Sequence, residues 1–118
     1  MGQLTYFKVT NDLLGRSRVL MEIQADSDLD YVVLNNIAWD IYLRENDEEI
    51  LLQALNLAKK SIGINSSSFN NDTYAALLFK LGRKQDAIRY QKLALDHAKE
   101  EKAELKEYEE KLAFYQTN

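Results

Sequence analysis

The chain contains no cysteine and no proline, only four glycines, and single copies of histidine and tryptophan. Each scarcity excludes something. Without cysteine there are no disulfides, no thiolate metal ligands and no cysteine nucleophile. One histidine leaves no His-rich zinc site. A β-sandwich or barrel needs many tight turns built from Gly and Pro, so an all-β fold does not suit this composition. Long apolar runs are also missing, and no window reaches the length of a membrane span. Met1–Lys8 has no signal-like hydrophobic region. This leaves two expectations for location: cytoplasmic, or periplasmic if the chain is a fragment of a secreted protein.

What is present is a 118-residue chain that is 46% hydrophobic, enough for one domain with a modest core. Fifteen Lys/Arg stand against nineteen Asp/Glu, a net charge of −4. A mildly acidic, mixed-charge chain argues against nucleic acid, which is bound through a basic patch. The densest charge, Lys99–Lys111, alternates in sign and reads as a solvated helix face.

Helical signals dominate. Lys84–Gln116 has neither Gly nor Pro and is rich in Ala, Leu, Lys, Glu and Gln. Leu105, Tyr108, Leu112 and Tyr115 form one helical stripe within it, and a break is expected near Lys99–Lys102. Asn71–Leu81 predicts a helix closed by Gly82. Ile62–Asn71, dense in Gly, Ser and Asn, predicts a loop. Asn46 with Glu49 predicts a capped helix from Asp47 to about Ile62, and Ser27 with Asp30 one running to about Arg44. In residues 1–26, Tyr6, Val9 and Leu13 form a helical stripe ended by Gly15, with Ser17 capping a second short helix. A β-hairpin of Leu4–Thr10 with Arg18–Ile23 is the alternative.

The chain repeats itself. Ala54–Ile62 aligns with Ala87–Leu95 at an offset of 33, pairing small with small at Ala54/Ala87 and Ser61/Ala94. Ile37-Ala38, Ile41 and Tyr42 align with Tyr74-Ala75, Leu78 and Phe79 at an offset of 37. Small residues at fixed positions let helices approach, and large ones fill the holes between them. In these positions the chain resembles the tetratricopeptide repeat (TPR), a 34-residue helix–turn–helix. Tyr74-Ala75-x-x-Leu78, Gly82, Ala87 and Ala94 carry the likeness in one unit, and Ile37-Ala38-x-x-Ile41, Ala54, Ala58 and Ser61 in the other. The signature tryptophan is replaced by Leu34 and Asn71, and the closing proline by Ser66 and Lys99. More distantly, LNNIAWDIY and DTYAALLFKLGRKQDAI are similar to C-terminal helical extensions of some bacterial thioredoxin-fold proteins.

The resemblance implies an all-α, TPR-like right-handed stack of antiparallel hairpins in one domain. Its parts are an N-terminal helical segment 1–26, hairpins 27–66 and 67–100, and a capping helix 101–118. It also implies a concave groove lined by the first helix of each pair. The candidate groove residues are Asn35, Trp39, Tyr42, Asp72, Phe79 and Lys80, on faces that also carry Val32, Phe69 and Ala76. Aromatic anchors beside an amide and a carboxylate suit a peptide segment or partner domain. Carboxylate-clamp TPRs use a lysine and an asparagine on the first helix. Here Asn35 is present but Trp39 stands in the second polar place, which argues against that ligand. Self-association or a spacer role in a larger protein is the alternative.

The expected role is non-catalytic, with no cofactor or metal. Asp26, Asp28 and Asp30 lack the glycine and distal glutamate of a calcium loop and read as a helix cap. His97 has Asp96 beside it, but helix neighbours do not face each other; Glu101 at i+4 is a possible partner, and a small enzyme using His97 is the remote reading. Ser66-Ser67-Ser68 is read as loop, with no base in reach that the sequence can show.

Overall fold

The computed structural model describes residues 13–26 and 28–118. These fold into six helices: α1 (Leu13–Ala25), α2 (Tyr31–Arg44), α3 (Glu48–Ile64), α4 (Ser68–Lys80), α5 (Lys84–Glu100) and α6 (Lys106–Thr117). No strand occurs among the described residues. The Tyr6–Val9 stripe and the Leu4–Thr10 limb of the hairpin alternative lie outside them. The Arg18–Ile23 limb is helical.

Local chemistry sets most helix ends. Asp30 caps α2 by accepting the Val33 N–H at 2.9 Å, and Ser27, the expected cap, lies outside the described residues. Asp47, one residue beyond Asn46, caps α3 by accepting the Ile50 N–H at 3.1 Å. Both carboxylates satisfy an orphan donor and sit at the positive end of the dipole. Gly15 does not end a helix and Ser17 does not cap one, because α1 runs through both. Burial of Val19, Leu20 and Ile23 outweighs the weak local preferences there.

The largest departure from the sequence reading is the Ser/Asn run. Gly63 and Ile64 continue α3 and Ser68 opens α4, so only residues 65–67 connect the two helices. The polar side chains that suggested a loop are spent on backbone and neighbouring helices, as described below.

Two stops use the left-handed backbone. Gly82, at φ +83°, ends α4, with Gly82 N–H donating to Phe79 O and Arg83 N–H to Leu78 O. After α5, Lys102 adopts φ +58°, and Ala103 N–H closes on Ala98 O at 2.9 Å. A side chain in this region costs about 1 kcal/mol that glycine avoids. Lys102→Gly is therefore expected to raise stability by about 0.5–1 kcal/mol, net of glycine's greater unfolded-chain entropy. A rise in the urea midpoint at constant slope checks this, and a lowered midpoint contradicts it.

Packing follows chain order. α2 lies on α3, α4 on α5, α3 on α4 and α5 on α6, while α1 adds to α3 and α2 also touches α4. The core runs through these contacts, with Leu20, Leu34, Ile50, Leu57 and Leu77 fully buried. Positions matched by the internal alignment share their burial: Ala38 and Ala75, Ala54 and Ala87, and Ser61 and Ala94 are all at 0% exposure. No methyl group can be added at such sites without pushing helices apart.

Candidate functional site

α2 and α4 each present one turn-spaced stripe toward the same region, and α6 crosses beside α4. On α2, Trp39 stacks on Tyr42, with centroids 4.8 Å apart and planes at 22°. From α4, Lys80 places Nζ 5.0 Å from the Tyr42 ring centre and donates to the Tyr42 carbonyl at 2.6 Å. A lysine held over an aromatic face gains from the ring quadrupole, and here it also joins α2 to α4.

α6 completes the arrangement. Lys111 Nζ pairs with Asp72 Oδ2 at 2.8 Å and lies 5.3 Å from the Trp39 ring centre. Tyr115 stacks on Phe79 at 4.6 Å, and Phe114 meets the Phe79 ring edge-on at 5.6 Å. Gln91 of α5, fully buried, donates to Asp72 Oδ1 at 3.1 Å and to the Tyr108 carbonyl at 3.2 Å. Its Oε1 has no hydrogen-bond partner. Burial pushes the Tyr115 phenol well above its ordinary value, and Asp72 and Tyr42 add to the shift.

The six candidate residues thus divide. Trp39, Tyr42 and Lys80 come together, the two rings half-buried and the lysine exposed. Phe79 is half-buried against α6. Asp72 is mostly enclosed and already paired, so its carboxylate serves the junction of α4, α5 and α6. Asn35 is only 6% exposed, with an unpartnered Oδ1, and Ala76 is buried. Neither offers the open surface that helical spacing suggested. Phe69 turns to Tyr31, with rings 5.7 Å apart.

Sequence reasoning missed Lys111, Phe114 and Tyr115 as contributors. Tyr115 was visible as the end of the apolar stripe of the last helix. Phe114, 53% exposed beside that stripe, was its one large apolar residue without a core role to claim it.

A second polar constellation lies where the start of α4 meets the end of α5. Ser66 Oγ is 3.0 Å from His97 Nε2, and Asn71 Nδ2 donates to Ser66 Oγ at 2.9 Å. His97 Nδ1 stands 3.5 Å from Glu100 Oε1. Next to it Glu101 accepts from Ser68 N–H at 3.0 Å and from Ser68 Oγ at 2.5 Å. The expected pairing of His97 with Glu101 is thus replaced by Glu100, one residue nearer.

Among the described residues no group of three or more His, Asp or Glu could hold a metal ion, and no helix is long and apolar enough to cross a membrane. In comparisons with known proteins, no family model matches the chain, and neither the curated proteins nor the solved structures give a significant match.

Proposed function

We propose that the chain is a TPR-like protein-interaction module that docks a peptide segment or partner domain on the aromatic strip of Trp39, Tyr42, Phe79 and Phe114. The observation that carries this reading is the Trp39–Tyr42 stack, fixed by Lys80 and Lys111 yet covered by no other described ring. Pre-organised aromatic rings present large contact area at low entropic cost, the usual character of a binding hot spot. The matched burial of repeat-equivalent residues supports the TPR-like arrangement.

The lone tryptophan makes the test direct. Its emission is expected to be quenched by iodide equally at low and high protein concentration, and to become protected when a docking peptide is titrated in. Trp39→Ala is expected to weaken that peptide by about 2 kcal/mol or more, roughly thirtyfold. Emission that is shielded in dilute protein with no ligand contradicts the docking role. Shielding that appears only at high concentration assigns the strip to self-association instead.

A further inference from the structure

We propose that Ser66 and His97 form a nucleophile–base pair that accepts a small acyl group from an activated ester or thioester. This goes beyond the docking role and uses none of the aromatic-strip residues, so either reading can fail alone.

The geometry is that of an activated hydroxyl. Ser66 Oγ lies 3.0 Å from Nε2, within the range of a nucleophile and its base. Asn71 Nδ2 donates to Oγ at 2.9 Å and occupies one lone pair. In the His97 tautomer protonated at Nδ1, the serine's own proton is directed to Nε2, and the second Oγ lone pair remains for an incoming carbon. With Nε2 accepting, the ring proton sits on Nδ1, toward Glu100 Oε1 at 3.5 Å. The order hydroxyl, imidazole, carboxylate follows the roles of a nucleophile, its base and the group that orients the base. Packing fixes the Asn71 side of this arrangement. Asn71 is 1% exposed and also donates to Ser67 O at 2.8 Å, so its amide cannot swing away.

The same geometry limits the substrate. Ser66 is exposed, and the Glu100 side chain is 77% exposed, so solvent weakens its pull on the imidazole. A site this open to solvent suits a leaving group that departs readily, hence an aryl ester or thioester rather than an amide. Glu101 already holds the Ser68 N–H, and the two Asn71 Nδ2 protons go to Ser66 Oγ and Ser67 O, so none of these donors is left for a developing oxyanion and only a reactive acyl group suits the site.

The reaction balances without a further reagent. Oγ bonds to the acyl carbon while its proton passes to Nε2. The bond from carbon to the leaving group breaks, and that group leaves with the electron pair and takes the proton from Nε2. Water, deprotonated by the same imidazole, then cleaves the acyl–Oγ bond, releasing the carboxylic acid and restoring Ser66.

The test uses the full chain with p-nitrophenyl acetate, following nitrophenolate release and mapping the acetyl adduct by peptide mass. Acetylation at Ser66 is expected, lost in Ser66→Ala and slowed about a hundredfold in His97→Gln. Glu100 acts as a positioning residue. Glu100→Gln is expected to slow acylation severalfold at unchanged melting temperature, and Glu100→Asp to recover part of the rate. Circular dichroism confirms that each variant keeps its helices. Adducts confined to amines, or a Ser66→Ala rate equal to the wild type, overturn the proposal, since a lone imidazole can hydrolyse this ester unaided. A His97→Gln variant acetylated at Ser66 as fast as the wild type overturns it equally.

Discussion

Asn70→Ala is expected to cost the fold about 3 kcal/mol. Asn70 lies in the first turn of α4 at 0% exposure. Its Oδ1 accepts the Ser67 N–H at 2.9 Å, and its Nδ2 donates to Ser61 Oγ at 3.0 Å and to the Asn65 carbonyl at 2.7 Å. Ser61, also fully buried, passes the connection on by donating to the Tyr31 carbonyl at 2.7 Å. One amide therefore joins the end of α3, the short connection, the start of α4 and, through Ser61, the start of α2. Alanine leaves three groups without their partner, each worth about 1 kcal/mol where water cannot replace it. Against a typical total of about 5–15 kcal/mol this is a large fraction. Urea unfolding at constant slope measures it. Asn65→Ala is the control: that residue is exposed and bonds through its backbone N–H and carbonyl, which alanine keeps, so a change within about 0.5 kcal/mol is expected. Equal losses in the two variants would show that the loop, and not the amide, sets the stability.

The same residues explain where sequence reading succeeded and where it failed. Serine and asparagine favour turns because they bond to nearby backbone, and that preference suggested a ten-residue loop. In the structure those bonds are made, but to a helix start and to Ser61 on the preceding helix. Propensity cannot see a partner nine positions away on another helix. Helix packing was more legible, since steric exclusion at a close crossing restricts residue choice locally. Ala54 and Ala87, like Ser61 and Ala94, are small because nothing larger fits. The cap was legible to within one residue at α3 and three at α2, and the stop at Gly82 directly, because each depends on local backbone geometry.

The candidate site was half legible. Turn spacing placed Trp39 and Tyr42 on one stripe, and the structure stacks them. Spacing says nothing about what lies across from a stripe, so it gave no warning that Lys111 would reach Asp72 or that Tyr115 would cover Phe79. Asn35 shares the stripe but sits under its neighbours. The Ser66–His97 contact was accessible in principle. In an antiparallel hairpin the beginning of the first helix lies beside the end of the second, and these residues flank those two ends. Reading Ser66–Ser68 as loop and His97 as an isolated surface residue separated two halves of one juxtaposition.

Above pH 10 the fold is expected to lose stability steeply, and Tyr115→Phe to remove part of that loss. Burial raises the Tyr115 phenol, with Asp72 and Tyr42 adding to it. Burial also raises Tyr74, whose ring meets Tyr90 edge-on at 4.6 Å; Tyr90 and Asp86 add to that shift, while Arg83 and Arg89 oppose it. The unfolded chain releases these protons near pH 10, whereas the folded chain holds them. Below pH 10 both states are protonated and pH has no effect through these groups. Above it the unfolded state binds fewer protons, so stability falls as pH rises, by up to about 1.4 kcal/mol per pH unit for each phenol. Urea unfolding of wild type and Tyr115→Phe at pH 7, 10 and 11 isolates one phenol, because every other titrating group cancels in the difference. The two curves are expected to run together up to about pH 10 and then diverge, the phenylalanine variant being more stable. Curves that stay parallel throughout would mean that Tyr115 ionises as freely folded as unfolded. The structural consequence falls on the aromatic strip. Tyr115 stacks on Phe79 beside the Asp72–Lys111 pair, so a phenolate there lies against a carboxylate. The repulsion acts on the hold of α6 over α4, which rests on the Tyr115–Phe79 stack and the Lys111–Asp72 pair.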